Sequence, residues 1–226
     1  MKKIDNLPVF TGADSSVREY AERALQSSHI KKVVCCALGP SGTNIEQAAK
    51  KWLARVGVVD KSEVILGDTP EKCLQVARDI TAEGVVAVFW TCAVYYNENL
   101  FFFGNPDVYP FFFQEDMLLD SMQLAARSFF GGDLNPDVHP RLTVASHPSP
   151  APLVAGFGEV VLCNSNAAAA KMCAEGKTDL CITTESARKI HGLVELHSFG
   201  CPLMVFFGGV TQHGLKQIEN ASTSLV

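Results

Sequence analysis

The chain has 226 residues, 47% hydrophobic and 19% charged, which is the composition of a folded globular protein long enough for one large domain or two smaller lobes. Its net charge of −5 leaves no basic surface to neutralise phosphates, which excludes nucleic acid as the main partner. The start MKKIDNLPVF lacks the apolar stretch of a signal peptide and no apolar run approaches a membrane span, so a cytoplasmic location without membrane contact is expected.

Ser16-x-x-Glu19 is a capping-box pattern, and Tyr20, Ala21, Ala24 and Leu25 follow at helical spacing, predicting a helix over 16–27. The apolar run 33–37 predicts a buried strand. LGPSG after it is turn chemistry, and Thr43 or Asn44 can cap the next helix, whose buried face carries Ala48, Ala49, Trp52 and Leu53. A strand, a glycine-rich turn and a helix start aim several backbone N–H groups at one point, which suits an anion. A short strand at 64–66, a helix opened by Asp68-Thr69-Pro70-Glu71 and a strand at 85–90 continue the βα rhythm of a mostly parallel α/β sheet.

Between Thr91 and Gly132 the rhythm breaks. Tyr95-Tyr96, Phe101 to Phe103, Tyr109 and Phe111 to Phe113 fall at no clean period, which points to a cleft wall and lid, to an oligomer interface or to a second small core. Alternation over 121–130 predicts a strand with one wet face, and 131–140 reads as a surface turn. Beyond it, strands are predicted at 141–145, 160–163, 180–182, 194–196 and 203–207, helices at 167–174 and 186–190, and a polar, frayed tail at 212–226. The eight cysteines include no CxxC pair and match neither a zinc site nor a secreted disulfide framework. They are expected to be small buried hydrophobes in a reducing compartment, with no metal and no cofactor implied.

The turn chemistry recurs. Ser41-Gly42-Thr43, Ser146-His147, Asn164-Ser165-Asn166 and Thr183-Thr184 are hydroxyl- or amide-rich turns that each follow a strand. In an open α/β sheet such turns gather at the carboxyl ends of the strands, where ligands bind. Each hydroxyl can also be a plain helix cap. Together they predict a site for a small carboxylate- or phosphate-like molecule, and by themselves they name no reaction.

These segments resemble a known family. LGPSGTNIEQAAKKWL looks like the opening motif of prephenate dehydratases, while ASHPSPAPLV and CNSNAAAAKMCAEGKTDLCITTESARKIHGL look more like the related prephenate decarboxylases of bacilysin-type antibiotic pathways. The resemblance implies an α/β, two-lobed fold like a type II periplasmic binding protein, with the prephenate dehydratase catalytic site in a cleft between lobes. On that basis 1–31 is an N-terminal extension with a helix, 32–90 plus 198–211 form lobe 1, 91–197 form lobe 2, and 212–226 is a flexible tail. Dehydratases carry a Thr-Arg-Phe segment near the end of the catalytic domain. Here the corresponding stretch, Gly200-Cys201-Pro202-Leu203-Met204-Val205-Phe206, has neither Thr nor Arg, so ordinary dehydratase activity is not expected.

The resemblance therefore implies a lyase that decarboxylates a carboxylated cyclohexadiene in secondary metabolism. Ser41, Gly42, Thr43 and Asn44 would hold one carboxylate, and Ser165, Asn166 and Ala167 the other or the pyruvyl end. Ser146, Thr184 and Arg188 complete the binding set, Arg188 either on a carboxylate or paired with Glu185 at i+3. Loss of carbon dioxide leaves electron density that a proton must quench, and His147, Tyr95 and Glu185 are the candidate donors, His147 first. Two alternatives remain at this level: a dehydratase-like lyase on another ring intermediate such as a thioester, as in tropone- or tropodithietic-acid-type pathways, and a non-catalytic small-molecule binding module. The partners expected are a small anionic cyclic substrate and a second copy of the chain, in a homodimer joined through the Phe-rich stretch.

Overall fold

The structure is a computed structural model that describes residues 15–95, 97, 102–128, 142–154 and 156–222. In chain order its first elements are α1 (Ser15–Gln26), β1 (Lys32–Leu38), α2 (Asn44–Val56), β2 (Ser62–Gly67), α3 (Pro70–Asp79), β3 (Val85–Cys92), β4 (Val108–Leu118) and β5 (Met122–Ala126). They are followed by β6 (Thr143–Ser146), β7 (Glu159–Leu162), α4 (Asn166–Ala174), β8 (Leu180–Thr184), α5 (Glu185–Ile190), β9 (Val194–Gly200), β10 (Leu203–Thr211) and α6 (Gln212–Ser222). The chain divides into two units. The first takes Met1–Ala93, Asn97–Glu115 and Val205–Val226, and the second Val94–Tyr96 and Asp116–Met204.

The first unit is built on the sheet β2-β1-β3-β10-β4. β1 pairs parallel with β2 and β3, as the βα rhythm predicts, while β10 returns antiparallel to β3. All five residues Val33 to Ala37 are buried, as expected of a strand covered on both faces. Thr43 caps α2 by accepting the Glu46 N–H, Thr69 caps α3 from the Lys72 N–H, and Pro70 takes the first helical turn. At the core, Trp52 of α2 meets Trp90 of β3 at a centroid distance of 5.3 Å and Phe112 of β4 at 4.7 Å.

Several expectations change here. The stretch 212–222 is helix rather than frayed tail: α6 runs to Ser222 and buries Leu215, Ile218 and Ala221 at helical spacing, and 223–226 lie outside the described residues. Its Gln217 is buried too, with Oε1 accepting the Gly84 N–H at 2.8 Å, so a polar residue that suggested solvent serves the core. α1 is not an appendage either, because it packs on α6 and α2 and its Glu22 accepts from Trp52 Nε1 at 3.1 Å and from Arg55. The aperiodic aromatic stretch contributes to this core through Phe112 and through Phe102, whose ring lies 5.5 Å from Phe207. Tyr96, Phe101, the side chains of Phe111 and Phe113 and the 131–140 turn lie outside the described residues.

The second unit is built on the sheet β7-β6-β8-β5-β9, with β6 parallel to β7 and β8 and β5 antiparallel to β8 and β9. β5 corrects the expected strand with one wet face, since all five of its residues are buried. Its central place between β8 and β9 pairs both edges, packed clusters around Ala125 and around Leu124 cover its two faces, and the amide of buried Gln123 accepts from Arg188 Nε at 2.6 Å. Small side chains fill the helix-facing side, where Ala125, Ala145, Ala169, Ala170, Cys173 and Cys181 form one cluster. The four recurrent turns thus belong to two sheets rather than one. Ser41-Gly42-Thr43 follows β1 in the first unit, and the other three leave one edge of the second unit's sheet.

Candidate active site

At that edge the register fixes who are neighbours. Ser146 is the partner of Leu162, Ala145 that of Cys181, and Met122 that of Thr184, so the ends of β6, β7 and β8 and the start of β5 share one side. The turns they lead into carry His147, Ser165, Asn166, Thr184 and Glu185. This is the carboxyl end of the parallel strands, the usual ligand edge.

His147 is half-buried, and burial pushes its pKa below the usual histidine value. Its Nδ1 accepts the Ser149 N–H at 3.3 Å, which assigns the proton of the neutral ring to Nε2. Ser149 Oγ donates to the Val94 carbonyl at 2.9 Å, bringing the segment that carries Tyr95 beside the His147 turn. Ser146 is a different matter: it is fully buried and its hydroxyl donates to the His147 carbonyl at 2.8 Å, so it shapes the turn rather than offering a donor to a ligand.

The helix starts differ in what already occupies them. At α5, Thr184 Oγ1 caps the Ala187 N–H at 3.3 Å, the Ser186 N–H donates to Asp120 Oδ2 at 2.8 Å and the Glu185 N–H to the Ser121 carbonyl at 2.8 Å. Asp120 is therefore the resident anion there. Glu185 pairs with Lys189 at 2.5 Å, not with Arg188. Arg188 instead spends Nε on Gln123 and its Nη1 on the Leu193 carbonyl at 3.0 Å, which corrects the expected Glu185 pair and leaves Arg188 bracing β5 and the end of α5.

At α4, Ser165 Oγ caps the Ala168 N–H at 3.0 Å and Thr183 Oγ1 donates to the Asn166 carbonyl at 2.7 Å. Asn166 Nδ2 reaches only Met122 Sδ at 4.0 Å, while its Oδ1 is buried and has no hydrogen-bond partner among the described residues. Ala167 is exposed. No carboxylate binds this helix start among the described residues, in contrast to the start of α5, where Asp120 takes the Ser186 N–H.

At α2 the turn is filled from within. Ser41 Oγ donates to Glu46 Oε2 at 3.2 Å, the Gly42 N–H donates to the same oxygen, and Lys50 Nζ binds the other. Thr43 Oγ1 donates to the Leu38 carbonyl at 2.6 Å while capping the Glu46 N–H at 3.3 Å. Of the four residues expected to hold a carboxylate, Ser41, Gly42 and Thr43 thus bond within the chain. The Lys50 and Gly42 hydrogen bonds hold the Glu46 carboxyl below the usual range. Its contribution to stability is thus present above the unfolded pKa and lost as pH falls through the lowered folded value.

Sequence reasoning missed Asp120, Ser121, Gln123 and the inward role of Glu46. The first three reach their helix starts from β5 and the loop before it, and only Thr43-x-x-Glu46, a capping-box spacing, was a signal for the fourth. All eight cysteines are unbridged, and burial pushes Cys36 up to about 12 and Cys73 up to about 11, while the hydrogen bond with Cys181 lowers Cys173. A cavity of about 310 Å³ lies elsewhere, where β1 and β3 begin, lined by Lys31, Glu83, Gly84, Gln217 and Asn220.

The chain is 29% identical to the curated prephenate decarboxylases of Bacillus amyloliquefaciens and Bacillus subtilis over 176 residues, which is 75% of this chain and 82% of each relative. That match supports kinship with the prephenate dehydratase superfamily. No family model matches the sequence. Among solved structures, the periplasmic VFT2 domain of Bordetella pertussis BvgS superposes with a TM-score of 0.55 at 16% identity, covering 91% of this chain and 92% of that one. PhnD1 from Prochlorococcus marinus, solved with methylphosphonate, superposes at 0.51 with 8% identity over 85% and 82% of the two chains. At such identities these likenesses speak for the fold, a two-lobed periplasmic-binding-protein-like one, and for nothing finer. No described helix is long and apolar enough to cross a membrane.

Proposed function

We propose that the protein is a prephenate-decarboxylase-like lyase that acts on a carboxylated cyclohexadiene in the biosynthesis of a secondary metabolite such as an antibiotic, in the cytoplasm. The observation that carries this reading is the match to curated prephenate decarboxylases along three quarters of the chain. The second unit supplies a fitting chemistry. The start of α4, with Ser165, Asn166 and Ala167, offers backbone and amide donors to a carboxylate or a pyruvyl end. His147, with Tyr95 beside its turn, supplies the proton that replaces carbon dioxide on the ring. The C–C bond to the departing carboxyl breaks, its electron pair moves into the ring system, and the ring takes up one proton while keeping its hydroxyl.

Incubating the purified protein with prephenate and identifying the product tests this directly. A dihydro-hydroxyphenylpyruvate product supports decarboxylation. Phenylpyruvate would overturn it in favour of dehydration, and an unchanged substrate would favour a thioester or other ring intermediate. The second reading, a non-catalytic binding module, predicts saturable prephenate binding without turnover.

The protein is further proposed to act as a homodimer through its aromatic stretch. β4 is an edge strand of eleven residues in its sheet, and such an edge is a template for pairing. Light scattering on the purified chain should give twice 24.4 kDa, and a monomeric mass refutes the dimer.

A further inference from the structure

We infer that Glu46 is the resident anion of the Ser41–Thr43 turn and a specificity-determining residue, which closes that turn to the carboxylates of a ligand. The turn has the form of an anion cradle, with a glycine N–H, a serine hydroxyl and the opening of a helix of thirteen residues. Its donors converge on a carboxylate, but the carboxylate belongs to the chain. Glu46 is only 4% exposed, so the charge sits beneath the turn rather than at its rim. Gly42 N–H and Ser41 Oγ bind one of its oxygens, and Lys50 Nζ the other.

An incoming anion would meet spent donors and a like charge, and exclusion of this kind discriminates as effectively as a new attraction. The consequence, which goes beyond the proposed function, is that this turn contributes shape and the Asn44 side chain to a ligand site rather than anion binding. Anion recognition passes to helix starts that hold no carboxylate of their own.

The test needs no turnover, so it stands apart from the lyase reading. Inorganic phosphate is titrated into the full chain and the Gly42 amide resonance is followed by NMR in wild type, Glu46→Ala and Glu46→Gln. Wild type should show no saturable shift at Gly42. Glu46→Ala empties the cradle and should bind phosphate there at least 10-fold more tightly. Glu46→Gln keeps an oxygen acceptor for the Gly42 N–H but loses the charge, and should bind phosphate more weakly than Glu46→Ala, while the amide spectrum of each variant reports its fold. A saturable Gly42 shift with phosphate in wild type, or no gain in a folded Glu46→Ala, overturns the inference.

Discussion

Replacing His147 by alanine is expected to lower the rate of prephenate turnover by about 100-fold or more while leaving KM within a few-fold, the loss typical of a missing proton donor. The imidazole is held by its own turn: Nδ1 takes the Ser149 N–H, so the ring orientation does not depend on a ligand. Burial lowers its pKa, so near neutrality most of the protein carries the neutral ring. A donor acting as imidazolium carries a proton on Nδ1 as well, so it forms only below that pKa and gives up the Ser149 N–H bond. Turnover should accordingly fall as pH rises through a value lower than the ordinary histidine pKa, and the limb should vanish in His147→Ala. If His147→Ala keeps its rate and Tyr95→Phe loses it, the proton comes from the tyrosine; if neither matters, Glu185→Gln decides the remaining candidate.

Trp52→Ala is expected to destabilise the first unit by about 3–5 kcal/mol, the usual cost of removing a large buried aromatic, against a total stability of about 5–15 kcal/mol. Trp52 is fully buried, touches Trp90 and Phe112 through its ring, and fixes α1 through the Nε1 bond to Glu22. One side chain thereby ties two helices and two strands. Trp52→Phe keeps an aromatic ring but loses the indole N–H, and about half the penalty is expected because Glu22 keeps Arg55. Urea denaturation followed by circular dichroism reads both values. A loss under about 1 kcal/mol for Trp52→Ala would show that α1 and α2 are held by other contacts.

The elements easiest to read from sequence were those whose local and tertiary demands agree. Val33 to Ala37, Thr43, Thr69-Pro70, Ser165 and Thr184 announce a buried strand or a helix start in their own chemistry, and each stands where expected. α6 was hidden because Gln212, His213, Lys216, Gln217, Glu219 and Asn220 outnumber its apolar Leu215, Ile218 and Ala221, and because the partners of buried Gln217, the Gly84 N–H and the Glu83 carboxylate, are remote in the chain. β5 misled for a similar reason: Gln123 sits in a strand covered on both faces and is tolerated only because Arg188 reaches it.

The candidate site was legible as a set of turns and illegible as a set of occupied or open ones. Whether a helix start is available depends on groups such as Asp120, which arrives 66 residues from the N–H it takes. No spacing in the sequence encodes that. Glu46 shows the same limit at short range, since its place in the first turn of α2 was plain and the direction of its carboxylate was not.

The place of β10 between β3 and β4 has a consequence for synthesis on the ribosome. Every strand of the second unit's sheet has emerged once Gly200 leaves the exit tunnel, and that sheet can close while the chain is still growing. The first unit, begun earlier, must wait, because the strand that joins β3 to β4 and the helix that packs on α1 are made after every strand of the second unit's sheet. The unit begun earlier is thus completed later, with β3 and β4 each carrying an unpaired edge in the interval. A nascent chain stalled before Leu203 should be bound by chaperones through those edges, and its release should coincide with translation of the final elements.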